Sequence, residues 1–81
     1  MEIVFTKRAS KDFFSLTPQL KTQMRKQLAY LQENLRHPSL DAKKYGGADS
    51  LWQGRVNRDD RFYFRIVDDE YHIAMIIPHP K

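Results

Sequence analysis

Eighty-one residues without a cysteine, 41% hydrophobic and 30% charged, with a formal net charge of +4, describe one domain over residues 1–81, because the length leaves no room for two cores. The absence of thiols excludes a disulfide framework and a thiolate metal site and fits a reducing compartment. No apolar run approaches the roughly 20 residues of a membrane span, and the opening MEIVFTKR has no long apolar stretch of a secretory signal, so a cytoplasmic protein without a membrane partner is expected.

Glu2 to Thr6 are β-branched and aromatic and read as a first strand, with Thr6 offering an N-cap to a helix after it. That helix is short, because Ala9, Phe13 and Leu16 share one face while Lys7, Arg8, Lys11 and Asp12 fall elsewhere. Thr17-Pro18 then supplies a new N-cap and a proline suited to a first helical position. The helix it starts carries Leu20, Met24, Leu28, Leu31 and Leu35, an apolar stripe that should stop near His37-Pro38, since proline disfavours a helical residue before it.

From Ser39 to Ser50 periodicity is lost and Gly46-Gly47 marks a turn, so Lys43 and Lys44 are placed on a connection between helix and sheet. Alternation then takes over. Trp52 and Val56, and after them Phe62, Phe64 and Ile66, form a core face, while Gln53, Arg55, Arg61, Tyr63 and Arg65 form the opposite one. In Tyr71 to Ile77 the odd positions are the stronger apolar set. The expected fold is α+β, in the order β-α-α-β-β-β, with two N-terminal helices on one face of a small antiparallel sheet.

Opposed residues on antiparallel strands share a face. An Arg58-Asp59-Asp60 loop would set Arg55 against Tyr63, and an Asp69-Glu70 loop would set Phe64 against Met75 and Arg61 against Pro78, beside His79. Arg55, Arg61, Tyr63 and His79 should therefore converge at one end of the sheet, on the face away from the helices or at its rim.

Arginines with a histidine on an open sheet face suit a phosphodiester. Guanidinium groups pair with phosphate oxygens and hold the charge that grows in the transition state, and histidine exchanges protons near neutral pH. If the substrate is RNA, its own 2′-hydroxyl is the nucleophile, and positioning, acid–base groups and charge stabilisation suffice. No metal-ligand spacing links His37, His72 and His79, and Gly46-Gly47 lacks the flanks of a phosphate loop, so neither metal nor cofactor is expected. Structural readings stand beside these: Arg61 caps the Asp59-Asp60 turn, Arg65 pairs with Asp68 or Glu70, His72 is a surface strand residue, and Tyr45, Trp52 and Tyr63 pack.

Charge is uneven along the chain. Residues 7 to 44 hold nine Lys and Arg against Asp12, Glu33 and Asp41, a balance of +6, whereas residues 45 to 81 carry −1. A basic half calls for a polyanion or an acidic partner; Lys21, Arg25 and Lys26 also read as a solvated helix face.

His37-Pro38-Ser39-Leu40 with Lys43-Lys44, then Leu51-Trp52-Gln53-Gly54-Arg55-Val56, Arg61-Phe62-Tyr63-Phe64-Arg65-Ile66 and Ile77-Pro78-His79-Pro80-Lys81 resemble the RelE/ParE superfamily of bacterial and archaeal type II toxins over nearly the whole chain. The resemblance implies a toxin and a cognate antitoxin, an acidic and apolar segment that wraps the basic helices and covers the sheet face. In its RelE branch it implies a ribosome-dependent, metal-independent mRNA endonuclease. Arg61 then looks like the arginine that stabilises the transition state, Arg55 like a strand residue placed to contact phosphate or tune the nucleophile, and His79 like a C-terminal general acid. Tyr63, Arg65 and Lys81 look like catalytic or substrate-positioning residues, and Lys43 and Lys44 like contacts to ribosomal RNA. No carboxylate stands clearly in the place of the glutamate base of some relatives, and the ending at Lys81 leaves out a segment that supplies others with a tyrosine. The ParE branch implies the alternative, a toxin that inhibits DNA gyrase by binding, without a nuclease site.

Overall fold

The computed structural model describes residues 1–46 and 50–77. Strand β1 (Glu2–Phe5) leads into helices α1 (Lys7–Phe14) and α2 (Pro18–Glu33), then a 3₁₀ turn (Pro38–Leu40), then strands β2 (Lys43–Gly46), β3 (Leu51–Arg55), β4 (Arg61–Val67) and β5 (Glu70–Ile77). The five strands form one sheet in the order β1-β5-β4-β3-β2. The architecture is the α+β one read from the sequence.

Both helices start where their caps lie. The Thr6 hydroxyl accepts a hydrogen bond from the Ala9 amide, and the Thr17 hydroxyl accepts one from Leu20, with Pro18 at the first helical position. Helix α2 ends at Glu33, short of His37-Pro38, as Asn34 takes an extended conformation. Met24 and Leu31 are fully buried, and they pack with Ala9, Phe62, Phe64 and Ile73 in a single core between the helices and one sheet face.

Three features of the sheet correct the sequence reading. Lys43 and Lys44 belong to a strand, β2, not to a loop. It pairs antiparallel with β3; four residues with one hydrophobic side chain carry too little periodicity to announce a strand, which exists because β3 offers it an edge. The sheet is mixed, since β1 pairs parallel with β5 (Ile3 with Tyr71, Phe5 with Ile73). The last hairpin also shifts: Asp68 and Asp69, both at positive φ, form its turn, and Ala74 has no partner on β4, so Tyr63 opposes Met75 while Phe64 opposes Ile73. The bulge reverses the alternation of β5. Tyr71 and Ile73 are buried before it and Ile76 after it, whereas Met75 and Ile77 turn away from the core.

Helix α1 holds the bulge. Where the main chain leaves β1, the Thr6 amide donates to the Ile73 carbonyl (3.1 Å), the Thr6 hydroxyl donates to that of Ala74 (3.0 Å), and an Asp12 carboxylate oxygen accepts from the Ile76 amide (3.0 Å). These bonds take the place of a strand partner along the second half of β5, which would otherwise be a bare edge.

Candidate functional site

The sheet face away from the helices carries the polar positions of β2 to β5. Rows of opposed residues run across it: Lys43, Gln53, Tyr63 and Met75 in one, and Arg55, Arg61 and Ile77 in the next. Arg55 therefore faces Arg61 directly, two residues from the expected register that set it against Tyr63. The connection between β3 and β4 is five residues, 56–60, in place of three. It is held by Asn57, whose side-chain oxygen accepts from the amides of Asp59 and Asp60 (both 2.8 Å).

Two like charges opposed on neighbouring strands destabilise a sheet. Here each arginine is met by oxygen. Arg61 Nη1 donates to the carbonyls of Asn57 (3.0 Å), Arg58 (3.1 Å) and Asp60 (3.0 Å), which is the turn-capping role read from the sequence. Arg55 Nη2 donates to Asp41 Oδ2 at 3.1 Å, and Lys43 Nζ lies 3.7 Å from the same oxygen. Arg55 Nε is shielded from solvent and, among the described residues, has no hydrogen-bond partner. A charged donor left unpaired there costs stability.

Asp41 is the member that sequence reasoning missed. It closes the 3₁₀ turn in the left-handed conformation (φ 46°), which aspartate tolerates better than most residues, and the turn swings its carboxylate to β3. Its signal was isolation: one of three acids in the basic half, two residues ahead of Lys43. Asp41 and Arg55 side chains are 48% and 42% exposed, so the pair is wet and open to exchange with another anion. Asp41 also lines a depression of about 230 Å³ with Leu35, Arg36, His37, Pro38 and Ala42.

Tyr63 is the third side chain of the cluster. Its hydroxyl accepts from Gln53 Nε2 (3.0 Å), and the exposed ring of Tyr45 meets it edge to face at 5.1 Å. Trp52 lies on the core side, stacked on Phe64 at 6.1 Å. Lys44 opposes Trp52 and so shares its face, leaving Lys43 alone of the two lysines on the side of the arginines. Arg65 opposes His72 further along the outer face, where His72 Nε2 lies 3.0 Å from Glu70 Oε1. His79 and Lys81 lie outside the described residues; Ile77, which opposes Arg61, is the last residue before that stretch.

No protein-family model matches the sequence, and no curated protein is significantly similar to it. Solved structures do match. A YoeB/ParE toxin from Agrobacterium tumefaciens superposes with a TM-score of 0.81 at 14% identity, covering 99% of this chain and 100% of that one. An archaeal RelE from a RelE-RelB complex of Pyrococcus horikoshii gives 0.80 at 18% identity over 99% and 96%. The intact E. coli RelBE toxin-antitoxin complex gives 0.76 at 18% identity over 99% and 98%. The chain has the RelE/ParE-type toxin fold. In this RelE/ParE-type fold, Arg55, Arg61 and Tyr63 stand on the central strands of the sheet, and Asp41 and Lys43 reach them from the β2 edge.

The helices form a second polar surface of the RelE/ParE-type fold. Arg25 lies 5.3 Å from the Phe13 ring, Lys21 6.0 Å from Phe14 and Lys26 5.9 Å from Tyr30, and Phe14 is 76% exposed. Among the described residues no helix is long and apolar enough to cross a membrane.

Proposed function

We propose that this protein is the toxin of a type II toxin-antitoxin pair and that it cleaves messenger RNA on the ribosome, in the cytoplasm, without a metal or other cofactor. The observation that carries the reading is the direct opposition of Arg55 and Arg61 on the outer face, with a carboxylate 3.1 Å from the first. Such an arrangement costs the sheet stability and suits a phosphodiester.

In the proposed reaction the 2′-hydroxyl of the substrate attacks the adjacent phosphorus, and the bond to the 5′-oxygen of the next nucleotide breaks. The products are a 2′,3′-cyclic phosphate and a free 5′-hydroxyl. Asp41 takes the proton of the 2′-hydroxyl, and His79, assigned by the resemblance, returns one to the leaving oxygen. Arg55 and Arg61 hold the non-bridging oxygens as charge builds. Lys43 and Tyr63 position the strand, Arg65 and Lys81 are further positioning residues, and Lys44 contacts ribosomal RNA from the edge. An acidic and apolar antitoxin segment binds the basic helices over Phe14 and extends across the sheet face; the RelBE and RelE-RelB complexes among the structural neighbours support that partner.

The test is a reconstituted translation reaction read by primer extension, with and without ribosomes and with chelator. New 5′ ends that need ribosomes and survive chelation are expected, and they should disappear in the Arg61→Ala, His79→Ala double variant. One observation favours the gyrase-binding alternative: Arg61 Nη1 is already bonded to three turn carbonyls. Intact mRNA together with blocked DNA supercoiling would establish that reading and reduce the arginines to a binding surface.

A further inference from the structure

Gln27 is buried to 4% exposure in the middle of α2, between Met24 and Leu31 on the stripe that faces the core. Among the described residues it is the one polar side chain so buried. A carboxamide here is costly unless its donors and acceptor are met, and an apolar residue would fill the stripe without that demand. Every group is met. Nε2 donates to the Ser39 carbonyl (2.9 Å) and to the Arg55 carbonyl (2.7 Å), and Oε1 accepts from the Ser39 hydroxyl (3.0 Å). The orientation is dictated by the partners, because two carbonyl oxygens require the nitrogen.

These bonds close a ring. From Gln27 it runs to Ser39, along two residues to Asp41, through the carboxylate to Arg55 Nη2, and from the Arg55 carbonyl back to Gln27. The 3₁₀ turn has a second tether to the same helix: His37 Nδ1 accepts from the Ser39 amide (3.1 Å), and the His37 ring stacks on Tyr30 at 3.8 Å. The exposed Asp41–Arg55 pair is weak by itself. Its geometry is set from below, by a side chain that reaches neither substrate nor solvent.

We propose that Gln27 is the positioning residue of the Asp41–Arg55 pair. This rests on the catalytic reading of that pair, and the experiment separates the two. Ribosome-dependent cleavage by the full chain is measured for Gln27→Met, Ser39→Ala, Arg55→Ala and the Gln27→Met, Arg55→Ala double variant, with melting curves for each. In parallel, the Arg55 side-chain Nε–H signal is monitored by nitrogen-15 NMR.

Gln27→Met should lower kcat about tenfold or more, as expected for a displaced catalytic group, with KM nearly unchanged. In the Arg55→Ala background its fold-loss of kcat should be clearly smaller, because only the placement of Asp41 is left to lose, although its effect on melting persists. Ser39→Ala keeps both carbonyl bonds and should give a smaller loss in the same direction, and it serves if Gln27→Met does not fold. Gln27→Met and Ser39→Ala should each move the Arg55 Nε–H signal. The same fold-loss of kcat with and without Arg55, or an unmoved Arg55 signal in the folded variants, would overturn the proposal. A wild type that never cuts mRNA while the Arg55 signal responds as described would remove the nuclease reading and leave Gln27 as the residue that orders a binding surface.

Discussion

The two faces of β3 and β4 are built by the same residues in alternation and obey opposite rules. On the inner face Phe62 and Phe64 are fully buried, 5.5 Å apart, with Trp52 and Tyr71 against Phe64. Gly54 leaves the space that the Phe62 ring fills. On the outer face Arg55 confronts Arg61, and Arg55 Nε has no partner among the described residues. One face is arranged for stability and the other against it. Contacts that folding alone would not select lie on the outer face, where the proposed site is.

Substitutions can break that contrast. The largest effect is expected for Phe64→Ala, which empties the centre of the aromatic cluster and should cost about 3–5 kcal/mol, much of the stability of a domain this size; urea denaturation measures it. Gly54→Ala comes next. A Cβ there would lie 2.5 Å from Phe62 Cζ, and the overpacking should cost about 1–3 kcal/mol, seen as a lower urea midpoint with cleavage retained below it. Arg55→Ala should do the reverse, cutting ribosome-dependent cleavage to a small but measurable rate while changing stability by less than about 1 kcal/mol, since the exposed ion pair it removes is worth little and the like-charge contact goes with it.

The smallest effect is a pH dependence of the inner face. Burial raises the Tyr71 hydroxyl above its ordinary value of 10.0, so the folded chain holds this proton more tightly than the unfolded one. The resulting stability is fully present below about pH 10, the unfolded value, and is lost as pH rises through the folded value. Melting curves at stepped alkaline pH should fall less steeply for Tyr71→Phe than for the wild type.

Much of this contrast was legible in the residues. Period-two alternation separated Phe62 and Phe64 from Arg61, Tyr63 and Arg65, and two threonine caps fixed where the helices begin. The capping role of Arg61 at its turn was legible as well, because donor and acceptors lie within four residues. Asp41 was not. Its carboxylate reaches Arg55 across 14 positions of sequence, through a turn whose direction no local pattern encodes. Gln27 was hidden for a related reason, as one polar residue on an apolar stripe reads as a gap until its partners on the turn and on β3 are in place.

Local chemistry was therefore sufficient wherever an interaction spans a helical turn or a strand repeat: the caps, the apolar stripe of α2, the two faces of the central strands and the charge imbalance between the halves of the chain. The tertiary structure alone decided the parallel pairing of β1 with β5, the strand at Lys43–Gly46, the bulge at Ala74 and the register that opposes Arg55 to Arg61. Each of these depends on which backbone edge or side chain lies alongside in space. A strand or a bulge is stable only when its free amides and carbonyls find partners, and those partners come from distant parts of the chain.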